Sequence, residues 1–299
     1  MRLRFVGLAA TALALTMTLG LPATGAQAKP VTPVPLNYLA VGDSVTQGLG
    51  VTLEKSYPKV LDAKAKRIKL ASNLAASGAT VADVATQLTA FATADPAAAA
   101  AITKISLTVG ANDVGWVKVA LACLQAPVGV NCADLKIDPA TGLPNPALPT
   151  IQDQVTAGQA ALKANLSTLL DSVATMYPKA KVYVGSYYEL FGAKKRTCTV
   201  APGYSISLVN KTWFNRTTRG LNATIRDAVA IAKATPVGNK VEFVNVARVF
   251  NGHGFCDSAR RWVIGPQYIP IGGDMTAIAH PNVKGQRAYA QRLFAKGLR

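Results

Sequence analysis

The sequence predicts an α/β protein with a five-stranded parallel sheet that helices cover on both faces. Short apolar runs that suit buried strands alternate with longer stretches whose apolar residues recur at helical spacing. Strands that alternate with helices in this way form parallel sheets, and strands buried on both faces are apolar throughout. The five predicted strands cover residues 36–41, 68–72, 105–109, 181–187 and 241–246.

The predicted helices fill most of the intervals between these strands. They cover residues 55–67, 81–92, 151–177 and 205–233, and a last helix starts after Pro281 and runs to about residue 296. An alanine-rich stretch at 97–102 leads into the third strand. Three segments that contain glycine and cysteine break the alternation and are predicted to be irregular: 115–150, 192–203 and 252–273. Because no internal repeat or linker interrupts the chain, we expect one domain over residues 29–299.

The first 28 residues have the pattern of an export signal. Arg2 and Arg4 give a basic start, an apolar run covers residues 5–21, and the small residues of Ala26-Gln27-Ala28 precede a cleavage point. The alternative is a membrane anchor, but the run contains Thr and Gly and falls short of the roughly 20 strongly apolar residues of a spanning helix. We therefore expect a signal peptide at 1–28 and a secreted, extracellular protein.

The four cysteines indicate disulfide bonds. An even number of cysteines in an exported chain is typical of disulfides, and four cysteines allow three pairings. Their order along the chain favours Cys123–Cys132 and Cys198–Cys256. Since no Cys-x-x-Cys occurs, no metal site is predicted.

The formal net charge of +17 argues for anionic surroundings more than for a nucleic-acid partner. The Lys and Arg residues are scattered, with short clusters only at 194–196 and 260–261, and no basic motif is interleaved with aromatic residues. We expect electrostatic attraction to an anionic cell wall or membrane surface, no nucleic-acid binding, and a monomer.

Polar, glycine-containing motifs follow the first three predicted strands. The carboxyl ends of parallel strands meet at one edge of a sheet, where ligands of such proteins bind. The motifs are Gly-Asp-Ser-Val-Thr-Gln-Gly at 42–48, Asn-Leu-Ala-Ala-Ser-Gly-Ala-Thr at 73–80 and Gly-Ala-Asn-Asp at 110–113.

These motifs supply the residue types that nucleophilic catalysis needs. Ser44 stands at a strand-to-helix turn, where a hydroxyl is exposed for attack on a substrate. The backbone N–H of Gly78 and the side-chain amide of Asn112 are suited to donate hydrogen bonds to an oxyanion. Asp43 is expected to stabilise the turn or cap the helix that follows.

The base that such a serine needs can come from only two histidines, His253 and His280. Pro281 keeps His280 extended and places it at the start of the last helix. His253 lies close to Cys256, within a segment predicted to be irregular, and is expected to order that loop. His280 is therefore the candidate base.

Taken together, the motifs resemble those of the SGNH/GDSL hydrolase superfamily. Gly-Asp-Ser, the glycine block, Gly-x-Asn-Asp and the late His-Pro-Asn-x-x-Gly-Gln at 280–286 occur in the family's order over nearly the whole mature chain. The Gly-His-x-x-Cys segment at 252–256 is similar to one in secreted lipases and esterases of actinobacteria.

The resemblance implies a flavodoxin-like three-layer α/β/α sandwich and a role for each motif residue. Ser44 would be the nucleophile and an oxyanion donor, with Gly78 and Asn112 as further donors and His280 as the base. No metal or organic cofactor is implied.

The implied function is that of a secreted serine carboxylic ester hydrolase, an esterase or lipase. It would act through an acyl-enzyme on short- to medium-chain acyl esters or lipids. The alternatives are an O-acetyl esterase that acts on decorated polysaccharide, and a catalytically silent protein that binds the cell wall.

The chain departs from the family at one position. The family's Asp three residues before the catalytic His is Ala277 here, and the nearest upstream acid is Asp274. We therefore expect a Ser44–His280 dyad in which the backbone carbonyl of Ala277 orients the imidazole. The alternative is that Asp274 is the third catalytic member.

Overall fold

The computed structural model describes residues 36–138, 141–192, 197–201, 204–235, 240–257, 260–265 and 275–299. The predicted export signal at 1–28 and Asp274 lie outside these residues. Among the helices that are described, none combines the length and the apolar character that crossing a membrane requires.

A five-stranded parallel sheet forms the centre of the structure, as the sequence predicts. Its strands lie in the order β2-β1-β3-β4-β7. A separate antiparallel hairpin consists of β5 and β6. The strands are β1 (Leu36–Gly42), β2 (Lys69–Asn73), β3 (Lys104–Thr108), β4 (Lys181–Gly185), β5 (Cys198–Ala201), β6 (Tyr204–Ile206) and β7 (Val241–Val244).

Helices cover both faces of this sheet and complete the predicted α/β/α sandwich. Helix α2 packs against α8, and α6 packs against α7 and α3. The helices are α1 (Ser44–Gln47), α2 (Tyr57–Lys64), α3 (Val81–Ala94), α4 (Pro96–Ala101), α5 (Trp116–Gln125), α6 (Ile151–Met176), α7 (Leu208–Lys233) and α8 (Val283–Ala295).

Side-chain caps determine where several helices begin. Thr80 and Asp83 form a reciprocal capping box at the start of α3. Ser207 accepts a hydrogen bond from the backbone N–H of Asn210, so α7 begins at Leu208, later than the periodicity predicts. Asn282 caps α8 in the same way and follows the candidate base by two residues.

The prediction that residues 115–150 and 192–203 are irregular is wrong in part. The first segment contains α5, and the second contains the whole of β5. The apolar side chains of α5 recur at helical spacing, with Val119, Ala120 and Cys123 buried. The surrounding glycines and prolines obscured this short periodic stretch, because they are typical of loops.

Both disulfides expected from the cysteine order are present. Cys123–Cys132 joins α5 to the turn that follows it, and Cys198–Cys256 joins β5 to the loop after β7. Each bond therefore fastens an element outside the central sheet.

Candidate active site

Ser44 lies where β1 ends and α1 begins, which is the predicted strand-to-helix turn. Gly42 adopts φ 131°, and a Cβ there would come within 2.2 Å of the Thr108 carbonyl oxygen, so only glycine lets β1 and β3 approach this closely. Asp43 caps α1 by accepting a hydrogen bond from the backbone N–H of Val45, which confirms its expected role. The turn leaves Ser44 largely buried but in contact with a cavity.

The structure brings His280 to Ser44 from 236 positions away in the sequence. The distance between His280 Nε2 and Ser44 Oγ is 2.7 Å. His280 Nδ1 lies 3.2 Å from the backbone carbonyl oxygen of Ile278. A carbonyl can only accept a hydrogen bond, so in the neutral imidazole this contact places the proton on Nδ1 and leaves Nε2 to accept from the serine hydroxyl.

The carbonyl seen next to Nδ1 is that of Ile278, whereas the sequence favours that of Ala277. The Ala277 carbonyl accepts a hydrogen bond from the backbone N–H of His280 at 3.1 Å. The tight turn thus directs the Ala277 carbonyl to the main chain and the Ile278 carbonyl to the ring.

Two backbone segments run side by side and hold His280 in place. The N–H of Ile264 donates to the His280 carbonyl at 2.8 Å, and the N–H of Ala279 donates to the Ile264 carbonyl at 2.9 Å. The N–H of Asn282 donates to the Trp262 carbonyl at 2.8 Å. His280 is therefore fixed on both sides by main-chain hydrogen bonds.

His253 occupies a different environment from His280. Its ring stacks on Trp262 with centroids 3.7 Å apart, and its Nδ1 lies 2.9 Å from the Arg260 carbonyl. The backbone N–H of Trp262 donates to the His253 carbonyl. These contacts are those of a residue that orders its loop, as the sequence predicted.

Two of the three predicted oxyanion donors, Gly78 and Asn112, lie in neighbouring loops. Asn112 lines the same cavity as Ser44 and His280, and its Nδ2 donates to the Ala79 carbonyl at 2.9 Å. An amide nitrogen carries two donor hydrogens, so this bond orients Asn112 and leaves a second N–H for a substrate. Gly78 is exposed, with φ 82°, in the loop that Asn112 contacts.

Asp43 is buried behind the nucleophile and accepts three hydrogen bonds. Val45 N–H and the Thr108 hydroxyl donate to Oδ1 at 3.0 and 2.8 Å, and the Tyr187 hydroxyl donates to Oδ2. Burial raises the pKa of Asp43 to about 6, because desolvation disfavours the carboxylate, and these hydrogen bonds oppose the rise.

An apolar cavity of about 600 Å³ opens at Ser44 and His280. One face of α5 forms part of its wall, and other parts come from the segments after β1, β3 and β4, near the second disulfide and near His280. The apolar side chains of the wall include Trp116, Val117, Ala120, Leu121, Leu124, Leu190, Val200, Phe255 and Ile278.

Sequence reasoning missed two parts of this site. It placed no functional residue on the strand at 181–187, yet Tyr187 and Tyr188 line the cavity. It treated α5 as part of an irregular insertion. A pair of aromatic residues at the end of a predicted strand was the available signal for the tyrosines.

Comparison with a protein-family model assigns the chain to a family. Residues 40–288 match the GDSL-like lipase/acylhydrolase family, and this match spans Ser44 and His280. The chain belongs to this family. It is accordingly a GDSL-type serine ester hydrolase.

Solved structures of bacterial enzymes share the fold of this chain. An extracellular lipase from Streptomyces rimosus is 21% identical, with a TM-score of 0.63, over 87% of this chain and 99% of its own. Phospholipase A1 from Streptomyces albidoflavus is 22% identical, with a TM-score of 0.64, over 87% and 99% of the two chains. None of the curated proteins that were compared matches the chain.

Replacing Asp274 by Asn tests whether this GDSL hydrolase uses an acid as its third member. We expect turnover to fall by less than about tenfold, because the Ile278 carbonyl already orients Nδ1 of His280. An essential acid would cost a factor approaching 10⁴, the scale known for the acid of a serine-protease triad. Steady-state hydrolysis of a soluble ester by the purified variant gives the answer, and a loss beyond about 10³-fold would make Asp274 the third member.

Proposed function

We propose that the protein is a secreted carboxylic ester hydrolase that works through an acyl-enzyme on esters with short or medium acyl chains. The observation that carries this proposal is the 2.7 Å contact between Ser44 Oγ and His280 Nε2 at the mouth of an apolar cavity. A serine hydroxyl in contact with a histidine ring nitrogen is the arrangement of an activated nucleophile.

In the first half of the reaction, Ser44 Oγ attacks the carbonyl carbon of the ester while His280 Nε2 takes the hydroxyl proton. The negative charge that develops on the carbonyl oxygen is stabilised by the Asn112 amide, with the backbone N–H groups of Ser44 and Gly78 as further donors. When the intermediate collapses, His280 returns the proton to the departing alcohol and leaves the acyl group on Ser44.

In the second half, water takes the place of the alcohol. His280 removes a proton from the water as it attacks the acyl carbon, and then returns it to Ser44 Oγ as the carboxylic acid leaves. The imidazolium forms in each half-reaction, and the Ile278 carbonyl opposite Nδ1 holds the ring in one orientation throughout. Over the two halves, one ester and one water are consumed, and one alcohol and one carboxylic acid are released.

The acyl chain is proposed to lie in the apolar cavity beside Ser44. A cavity of about 600 Å³ falls within the range of roughly 300–1,000 Å³ that small ligands occupy. Its apolar wall favours a hydrocarbon chain, since each buried methylene gains about 0.8 kcal/mol. The phospholipase A1 similarity agrees with an acyl ester substrate.

Secretion is proposed on two grounds. The chain forms two disulfides, which persist in oxidising compartments, and the similar Streptomyces rimosus protein is named an extracellular lipase. With cleavage after Ala28, the protein is proposed to be a single hydrolase domain over residues 29–299. Its net positive charge would hold it near anionic surfaces.

The proposed substrate class can be tested with p-nitrophenyl esters from acetate to palmitate. Enzyme recovered from a culture medium, expected to begin at Lys29, should show kcat/KM rising by up to about fourfold for each added methylene until the cavity is filled. Beyond that length, kcat/KM should fall. Ala120→Leu, which adds volume to the cavity wall, should shift the optimum to a shorter chain.

Ala122→Leu is the matched control for this variant. Ala122 is on the same helix and equally buried, but it is not among the residues that line the cavity. It should keep the wild-type chain-length profile even if stability falls. An optimum at acetate would favour the O-acetyl esterase, and a rate that appears only at an oil–water interface with long chains would contradict the proposal.

A further inference from the structure

Two consecutive tyrosines, Tyr187 and Tyr188, lie just beyond the end of β4 between the catalytic segments. Both are buried, and both line the cavity at Ser44. Neither belongs to the motifs that carry the nucleophile, the oxyanion donors or the base. Each hydroxyl nevertheless bonds to the residue that directly precedes one of these groups in the chain.

Tyr187 connects the nucleophile turn to the loop that carries Asn112. Its hydroxyl donates to Asp43 Oδ2, and Asp43 directly precedes Ser44. The same hydroxyl accepts a hydrogen bond from the backbone N–H of Ala111 at 3.3 Å, and Ala111 directly precedes Asn112. One oxygen atom thus joins segments that follow two different strands of the sheet.

Tyr188 makes the corresponding contact to the residue that precedes the base. Its hydroxyl donates to the Ala279 carbonyl at 2.7 Å, and Ala279 directly precedes His280. Ala279 has φ 71°, a left-handed conformation that is unfavourable for alanine, so this turn needs external contacts to keep its shape. The Tyr188 hydroxyl and the backbone of Ile264 supply them.

The main chain at this tyrosine pair is itself held by α7. The Asn222 side chain accepts a hydrogen bond from the Tyr187 N–H at 2.8 Å and donates one to the Tyr187 carbonyl at 2.7 Å. Both hydrogen-bonding groups of the Tyr187 backbone are therefore fixed. This anchoring gives the two hydroxyls defined positions.

We propose that Tyr187 and Tyr188 are positioning residues that set the mutual geometry of Ser44, Asn112 and His280, an inference that rests on the proposed function. The two tyrosines act through other residues and take no part in bond making. Burial raises the pKa of both phenols well above the ordinary value, so both remain protonated hydrogen-bond donors across the working pH range.

The test compares three variants that each remove one buried hydroxyl: Tyr187→Phe, Tyr188→Phe and Tyr177→Phe. Tyr177 is the matched control, because it is equally buried and its hydroxyl donates to the Leu88 carbonyl at 2.7 Å, between α6 and α3. For each variant, kcat and KM are measured with the preferred p-nitrophenyl ester. The melting temperature is recorded by circular dichroism.

All three variants should lose stability, with melting temperatures lower by roughly 2–8 °C. Only Tyr187→Phe and Tyr188→Phe should also lose kcat, by about 10- to 100-fold with KM within about threefold of wild type, because small misplacements of catalytic groups reduce turnover. Tyr177→Phe should keep the wild-type kcat. A merely structural role would move the melting temperature and leave kcat of the folded enzyme unchanged.

Wild-type kcat in both Tyr187→Phe and Tyr188→Phe would overturn the inference while leaving the proposed function intact, provided that the wild-type enzyme hydrolyses the ester. An inactive wild-type enzyme would refute the proposed function and the inference with it. If Tyr187→Phe does not fold, Asn222→Ala replaces it, since this variant frees the Tyr187 backbone and keeps the hydroxyl. It should show the same fall in kcat, and wild-type turnover in it would count against the inference.

Discussion

Ser44→Ala is expected to lower kcat for ester hydrolysis by about 10⁶-fold, the loss measured when a catalytic serine is removed from a serine hydrolase. The substitution removes one oxygen atom, and the helical backbone at this position accepts alanine readily. The hydrogen bond to His280 disappears, and no other group in the proposed reaction forms the acyl-enzyme.

Hydrolysis of a soluble p-nitrophenyl ester measures the loss of kcat. The circular dichroism spectrum shows whether the variant is folded. Ser167→Ala on α6 is the matched control, because it removes a serine hydroxyl that bonds to carbonyls of its own helix. The control should keep full activity. Activity of Ser44→Ala within tenfold of wild type, in a folded protein, would rule out the proposed mechanism.

His280→Ala is expected to be as damaging as Ser44→Ala. Without the imidazole, the Ser44 hydroxyl keeps its proton near neutral pH, and the departing alcohol has no proton donor. Residues that act as one catalytic unit are not additive, so the double variant should be no slower than either single variant. Steady-state rates of the three proteins, measured at the same pH, test this expectation.

His253→Ala provides the contrast for His280→Ala. It removes the ring that stacks on Trp262 and bonds to the Arg260 carbonyl, so the melting temperature should fall. Turnover of the folded protein should stay within a fewfold of wild type. If His253→Ala abolished turnover and His280→Ala did not, the assignment of the base would have to be reversed.

The parallel sheet and the positions of Ser44 and His280 were predictable because they depend on local signals. Buried strands of a parallel sheet are apolar along their whole length, so β1 and β3 could be recognised without knowledge of their partners. Motifs directly after such strands must lie at one edge of the sheet. With two histidines in the chain, the choice of base was then narrow.

The remaining parts of the site depend on contacts between residues that are distant in sequence. Tyr187 meets Asp43 across 144 positions, and Tyr188 meets Ala279 across 91. Such pairs leave no periodicity or spacing in a single sequence. The choice of the Ile278 carbonyl over that of Ala277 was equally hidden, because it follows from how one tight turn orients successive peptide groups.

The distance along the chain between Ser44 and His280 determines at what stage of synthesis and folding the catalytic pair can form. Six of the seven described strands lie between them along the chain, so their hydrogen bond closes one of the longest loops in the protein. Chains are synthesised from the N-terminus, and the nucleophile therefore emerges long before its base. A nascent or incompletely folded chain therefore carries the nucleophile without the histidine that activates it.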